Sequence, residues 1–494
     1  MPSSSRGVAT AERVAAAVLF AWLLWLPLPF GSNVEIARRP LILTPLILCA
    51  FAACVRLVAT RWRANAPVLA LAWKLGILGG LGLIAIGIVQ LVPLPLGLLH
   101  AVSPASHAIW TDASNLATLA GVATPSARPI SIDPGATAFE LFRLLGLVAA
   151  FQASTLLIRN HARRVALAVV VSLSALFQTL YGVREAAMGR YAIWGWVNRL
   201  IFDRVTGTFV NPNHFAHYVA ISLPMALFIA ATAWHEAAPG TARLSVRLVH
   251  LFERRFMPFA FAILGAIGCV AAILLAQSRG GLLALSGGLL ITGAILPGRR
   301  LARAGFAIAA VAVLIVSLVI LLGSQRTMRR LGEPEDAASA LTGRRVALAA
   351  SISTWRAFPI LGSGLGTFQR VADISLRGGS NRIYHHAHDD YAEIAATAGT
   401  LGFVVAIGFL AAAYLALVRQ TIGPDASALK WNRRAFQIAA LASLTIAMVH
   451  ALFDFNFFIP ANPATLATIL GAAVTVIDHD LRRSGGLDDS ATRR

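Results

Sequence analysis

Apolar residues in this chain come in long unbroken runs rather than at alternate positions. Runs lie at 14–30, 41–58, 75–95, 139–157, 165–183, 214–233, 258–276, 281–297, 304–323, 399–418, 435–453 and 463–478. A helix needs roughly 20 such residues to cross a ~30 Å hydrocarbon layer. The pattern therefore predicts an all-α integral membrane protein of about 12 transmembrane helices. The polar first residues run into an apolar stretch that reaches Phe30 without a small-residue cleavage signal, which predicts a retained first helix. No period of about 20–50 residues recurs, which argues against a solenoid or propeller.

Polar segments divide the chain into residues 1–323 with spans one to nine, a loop at 324–398, and residues 399–494 with the last three spans and a tail. Within the loop, "VALAASISTWRAF" at 346–358 has helical apolar spacing and predicts an amphipathic helix along the membrane surface, ended by Pro359. "PILGSGLGTF" after it reads as a glycine-rich turn rather than a nucleotide loop, because no strand leads into it.

Composition sharpens this picture. Hydrophobic residues make up 57% and charged residues 13%, against roughly 25% charged in soluble domains. The net charge of +20 invites nucleic acid as a partner. However, the basic residues are almost all arginine, dispersed among apolar spans without an aromatic platform, so membrane lipids fit better and no nucleic acid is expected. Arginines in alternate short loops orient the chain, with both termini on the cytoplasmic side and 324–398 on the opposite, periplasmic side of a multi-pass bacterial inner membrane protein. Cys49, Cys54 and Cys269 all sit in apolar runs and offer no disulfide.

Chemistry concentrates in four stretches. "YHHAHDDYAEI" (384–394) holds His385, His386, His388, Asp389 and Asp390. If helical, it would pair His385 with Asp389 and His386 with Asp390, and three readings stay open: metal ligands, caps for a helix beginning near Asp390, or a catalytic base. "QSRGG" sets Arg279 at the outer end of a span, where arginine also commonly snorkels to the interface. "DRVTGTFVNPNHFAHY" gathers Arg204, Asn211, Asn213 and His214 at a span entry, with Asn213 a candidate helix cap. "TGRRVALA" supplies Arg344 and Arg345, side chains suited to bidentate contact with a diphosphate.

Together "GTFVNPNHFA", "QSRGGLLAL", "GRR…WRAFPILGSGLGTF" and "HAHDDYAEIAATAGTLG" resemble the O-antigen ligase and O-antigen polymerase family of bacterial envelope glycan enzymes, over roughly 203–410. The family's histidine, small polar residue, nine residues and glycine fall on His388, Asp389 and Gly399, with Asp where Asn, Ser or Gln is usual. Its arginines fall on Arg279 and Arg344, while Leu348 stands where an aromatic residue is common.

The resemblance implies a metal-independent, inverting glycosyltransferase of lipopolysaccharide or exopolysaccharide synthesis that needs no cofactor. Its donor would be an undecaprenyl diphosphate-linked glycan, and its acceptor a glycolipid, either a lipid-linked repeat unit or lipid A-core. His388 would be the base, oriented by His386 or Asp390, and Arg279 and Arg344 would act on the diphosphate. Arg345, Arg204, Asn211, Asn213, His214 and Asp389 complete the expected substrate-binding set. The competing class is a lipid-linked glycan flippase or other transporter, which would need ionisable groups near mid-membrane.

Overall fold

The structure is a computed structural model that describes residues 2–60, 71–197, 204–238, 242–296, 334–375, 384–423 and 431–474. Along them run helices α1 (Pro2–Trp25), α2 (Glu35–Thr60), α3 (Leu71–Leu91), α4 (Leu96–Val102), α5 (Pro104–Leu119), α6 (Pro134–Leu157), α7 (His161–Ala187) and α8 (Pro212–Ala237). They are followed by α9 (Leu244–Arg254), α10 (Phe256–Leu275), α11 (Arg279–Ile295), α12 (Pro334–Ala357), α13 (Phe368–Ser375), α14 (Asp390–Ile422), α15 (Trp431–His450) and α16 (Ala461–Val474). The strands described are two-residue antiparallel pairs, β1 (Leu94–Pro95) with β2 (Ala127–Arg128) and β3 (Ala192–Ile193) with β4 (Trp196–Val197).

This is the all-α membrane class that the apolar runs predict. Among the described residues seven helices, α1, α2, α6, α7, α8, α10 and α14, are long and apolar enough to cross a bilayer, and α3 and α11 carry shorter apolar stretches. The runs at 435–453 and 463–478 correspond to α15 and α16. The run at 304–323 lies outside the described residues.

Helix α8 is apolar on every side and is enclosed, packed on α7, α10 and α15, as expected for a helix with no polar face to give to water. Outward-facing Ile47, Leu78, Ile267 and Val404 on α2, α3, α10 and α14 are exposed and suit a hydrocarbon surround. Small residues let helices close on one another, as where Gly288 of α11 meets the Ile446 backbone of α15.

The helix expected at 346–358 is the last half of the longer α12. Its inner face is small, with Ala347, Ala350, Ser351 and Thr354 buried, while Leu348, Ile352 and Trp355 remain exposed on the outer side. It stops at Ala357, ahead of Pro359.

The chain beyond α12 positions the site. Its turn at 361–366 passes through positive φ at Gly362, Gly364 and Gly366, where a side chain would be strained. Gln90 of α3 clamps this turn. Its Nε2 donates to the Leu361 carbonyl at 2.5 Å and the Thr397 carbonyl at 2.9 Å, and its Oε1 accepts from the Leu365 amide at 2.9 Å. Helix α14 breaks at Gly399 (φ 68°), where any Cβ would collide with the Ile360 carbonyl. This is the physical reason for a glycine ten positions after Asp389.

Replacing Gln90 by Leu leaves the Leu361 carbonyl and the Leu365 amide without their partner, at about 1–3 kcal/mol each, while the Thr397 carbonyl keeps the Gly364 amide at 3.0 Å. The expected result is a lower thermal unfolding midpoint in detergent and faster proteolysis at 361–365. Wild-type values for both would contradict the clamp.

Candidate active site

Residues 384–389 are not helical, so the i,i+4 pairs of His385 with Asp389 and His386 with Asp390 do not form. The helix begins only at Asp390, because Asp389 is extended (φ −157°) and its Oδ1 accepts from the Ala392 amide at 2.9 Å as the N-cap. Asn and Ser cap equally well, so the Asp at this position does the same work as the residues usual in the resembling family. Burial raises the Asp389 pKa, against its backbone amide bonds.

Each of the flanking histidines finds a carboxylate elsewhere. His386 Nδ1 lies 2.8 Å from Glu393 Oε1, whose Oε2 accepts from the Ala387 amide at 2.8 Å. Burial works against the His386 imidazolium, but the facing Glu393 outweighs it, aided by Glu140 and Asp454, and the pKa is raised above the ordinary imidazole value. His388 is a non-glycine residue at positive φ (55°), and its Nδ1 lies 3.2 Å from Oδ1 of Asp454. Such conformations persist where the surroundings over-determine them, and they cluster at functional sites.

Asp454 comes from the turn after α15 and is the residue that sequence reasoning missed. It is 1% exposed. Its Oδ1 also accepts from the Phe455 amide at 3.0 Å and stands 3.8 Å from His214 Nε2. Burial alone would push its carboxyl up, yet contacts from His214 and His388 hold it well below the usual carboxylate range. A carboxylate accepts and does not donate, so His388 Nδ1 carries the proton and Nε2 of the neutral ring is left as the basic atom.

The expected orienting partners do not fill that role. His386 is committed to Glu393, and the Asp390 carboxylate accepts from the Phe457 amide at 3.2 and 3.3 Å. The Phe455 ring organises all three histidines: His386 stacks on it at 4.2 Å, and His214 and His388 meet it edge-on at 4.5 and 5.0 Å. The only available clue to Asp454 was a single acidic residue in a short polar break between two apolar runs.

The cations lie on neighbouring elements. Arg279 is the first residue of α11, after the Ser278 cap, and is exposed. Its neighbour Gly280 approaches so closely that a Cβ there would stand 3.2 Å from His450 Nε2. Arg344, on α12, acts electrostatically on the same His450, and Arg345 is exposed beside it.

Arg204 is occupied structurally. Its Nε donates to the Ala276 carbonyl at 2.8 Å and an NH2 reaches the Gln277 carbonyl at 3.2 Å and Asn213 Oδ1 at 3.3 Å, tying its loop to the α10–α11 turn. The cap of α8 is Asn211, accepting from the Asn213 amide at 2.8 Å, and not Asn213 as the sequence suggested. Pro212 takes the first helical position, so the chain enters the helix two residues earlier. Among the described residues no three His, Cys, Asp or Glu side chains are grouped so as to hold a metal ion.

These pairings fix the pH response. The depressed Asp454 pKa contributes stability that is present above the unfolded value of about 4 and is lost as pH falls through the folded value. The raised His386 pKa contributes stability that is complete below about 6.5 and is lost as pH rises through the folded value. His386→Gln should therefore flatten the alkaline fall of the unfolding midpoint and leave the acid limb unchanged. An alkaline limb identical to wild type would refute the His386–Glu393 pair.

Residues 260–407 match the family described as O-antigen ligase, which supports the O-antigen ligase and polymerase family for this chain. The matched segment contains Arg279, Arg344, Arg345, His386, His388, Asp389 and Asp390, whereas Arg204, Asn211, Asn213, His214 and Asp454 lie outside it. No curated protein matches the chain.

Proposed function

We propose, on the premise of the O-antigen ligase and polymerase family, that this chain transfers a glycan from undecaprenyl diphosphate to an acceptor sugar at the periplasmic face of the bacterial inner membrane, with both termini cytoplasmic. The observation that carries the reading is His388, held at positive φ with Nδ1 on buried Asp454 and Nε2 left basic. Nε2 takes the proton of the acceptor hydroxyl as its oxygen attacks the anomeric carbon. The bond from that carbon to the diphosphate breaks on the opposite face, so configuration inverts, and the diphosphate departs with its electron pair.

Charge grows on the departing oxygens, and fixed guanidinium groups at Arg279 and Arg344, with Arg345 beside them, stabilise it without reorganising. Asp454 keeps the His388 ring in one tautomer and stabilises the imidazolium formed on proton transfer, the division of labour seen wherever a buried carboxylate backs a catalytic imidazole. His214, 3.8 Å from Asp454, joins this group from the first turn of α8, whose entry is braced by the Asn211 cap and by the Arg204 contact to Asn213.

The transporter reading draws less support, because the buried Glu140–Arg143 pair is bonded to itself and to the Phe457 carbonyl, which ties it to the outer loop.

In purified protein supplied with lipid-linked glycan, His388→Ala is expected to lower transfer by about 10²- to 10⁴-fold, the usual worth of a general base. The variant should unfold at or near the wild-type temperature. Full transfer activity in folded His388→Ala would end the base assignment. Arg344→Lys should lose most activity too, since a lysine cannot reproduce a bidentate guanidinium contact.

A further inference from the structure

The connection between α8 and α10, both long and apolar enough to cross a bilayer, is itself a helix, α9. It packs beside the last turns of α8, where Leu251 joins Ala233 and Ala237 in a small core flanked by Trp234 and Phe259. Arg247, one turn earlier, is buried against the same place. Its Nη1 donates to the Trp234 carbonyl at 2.9 Å, and its guanidinium carbon stands 5.4 Å from the Trp234 ring centre.

A helix turns by about 100° per residue, and the other positions of α9 divide around the Arg247–Leu251 line. On one flank Leu244, Leu248 and Phe252 form an i, i+4, i+8 stripe, and all three are exposed, Leu244 and Phe252 at 63% each. On the other flank lie His250 and Arg254, with Arg243 at the cap, three turns before Arg254 and so nearly in register with it. Arg255 is paired with Glu236 at 3.1 Å. Arg243 and Arg254 are exposed and have no carboxylate partner among the described residues.

This three-way division, apolar on one flank, cationic on the other and attached to the bundle between them, is the geometry of a helix lying in the plane of a headgroup layer. Trp234 and Trp431 stand at the same level, Trp431 stacked on His235 at 4.1 Å, and indoles collect where hydrocarbon meets water. A zwitterionic headgroup offsets its phosphate with its own ammonium. Two unpaired guanidiniums therefore favour lipids that carry net negative charge.

We propose that α9 is a lipid site that binds anionic phospholipid headgroups through Arg243 and Arg254, with Leu244, Leu248 and Phe252 sunk into the acyl boundary. It lies at the end of α8 opposite His214 and does not rest on the glycan-transfer reading.

The test uses full-length protein in phosphatidylcholine vesicles containing a trace of phosphatidylglycerol with a diazirine near its headgroup. A matched phosphatidylcholine probe is the control. The phosphatidylglycerol probe should label residues 243–257 about tenfold more than the control, and Arg243→Gln and Arg254→Gln should each lower that labelling about fivefold, the worth of one basic residue at an anionic surface. Lysine at both positions should preserve it, since an ammonium also serves as a point charge. Phe252→Asp should lower labelling by both probes. All three positions are exposed, so these variants should unfold near the wild-type temperature in detergent. Equal or absent labelling by the two probes overturns the site, as does undiminished labelling in the folded double glutamine variant. Crosslinks from α9 to a second copy of the chain in place of lipid would overturn it too.

Discussion

A carboxylate buried almost completely at one end of a helical bundle sets the terms for everything around it. Removing Asp454 from water costs several kcal/mol unless partners replace the lost hydration; its Oδ1 accepts from the Phe455 amide and pairs with His388, and His214 stands 3.8 Å away. These come from the turn after α15, the stretch before α14, and the first turn of α8. Meeting the needs of one charge thus locks three distant parts of the chain into a single geometry. The same bond fixes which nitrogen of His388 is basic, so structural compensation and chemical readiness are one interaction.

Around this point the chain sorts its charges into two kinds. Gly280, next to Arg279 at the start of α11, closes on His450, and Arg344 of α12 acts electrostatically on the same histidine, whereas Arg143 and His386 are neutralised by Glu140 and Glu393. Under the proposed glycan transfer, arginines without a carboxylate partner among the described residues would serve a departing diphosphate, and balanced pairs would suit the approach of a neutral hydroxyl. The Phe455 ring, in contact with His214, His386 and His388, holds the three histidines together.

The loops that hold this arrangement depend on backbone constraints more than on apolar burial. Gln90 satisfies three backbone groups of the 361–397 region from within α3, and Gly399 lets α14 break where the Ile360 carbonyl comes too close for any side chain. Strained φ at His388 persists because the N-cap at Asp389 on one side and the Glu393 clamp on the Ala387 amide on the other leave it little freedom.

Much of this was legible in the sequence. Long apolar runs specify membrane helices because hydrocarbon tolerates only self-satisfied backbone, and α1, α2, α6, α8, α10 and α14 arise within those runs. The family resemblance of the arginine and histidine stretches was readable too, since spacing within one segment survives in one dimension. The partner of each charge was not. His386 takes Glu393 rather than Asp390, His388 takes Asp454 across 66 residues, and Asn211 rather than Asn213 caps α8. A buried ion is compensated by whatever group the fold brings within about 3–4 Å, a choice made by helix packing and turn geometry. Sequence alone therefore named the candidate residues along the chain, while tertiary structure decided which atoms face each other and brought in Asp454, because proximity across helices has no counterpart along the chain.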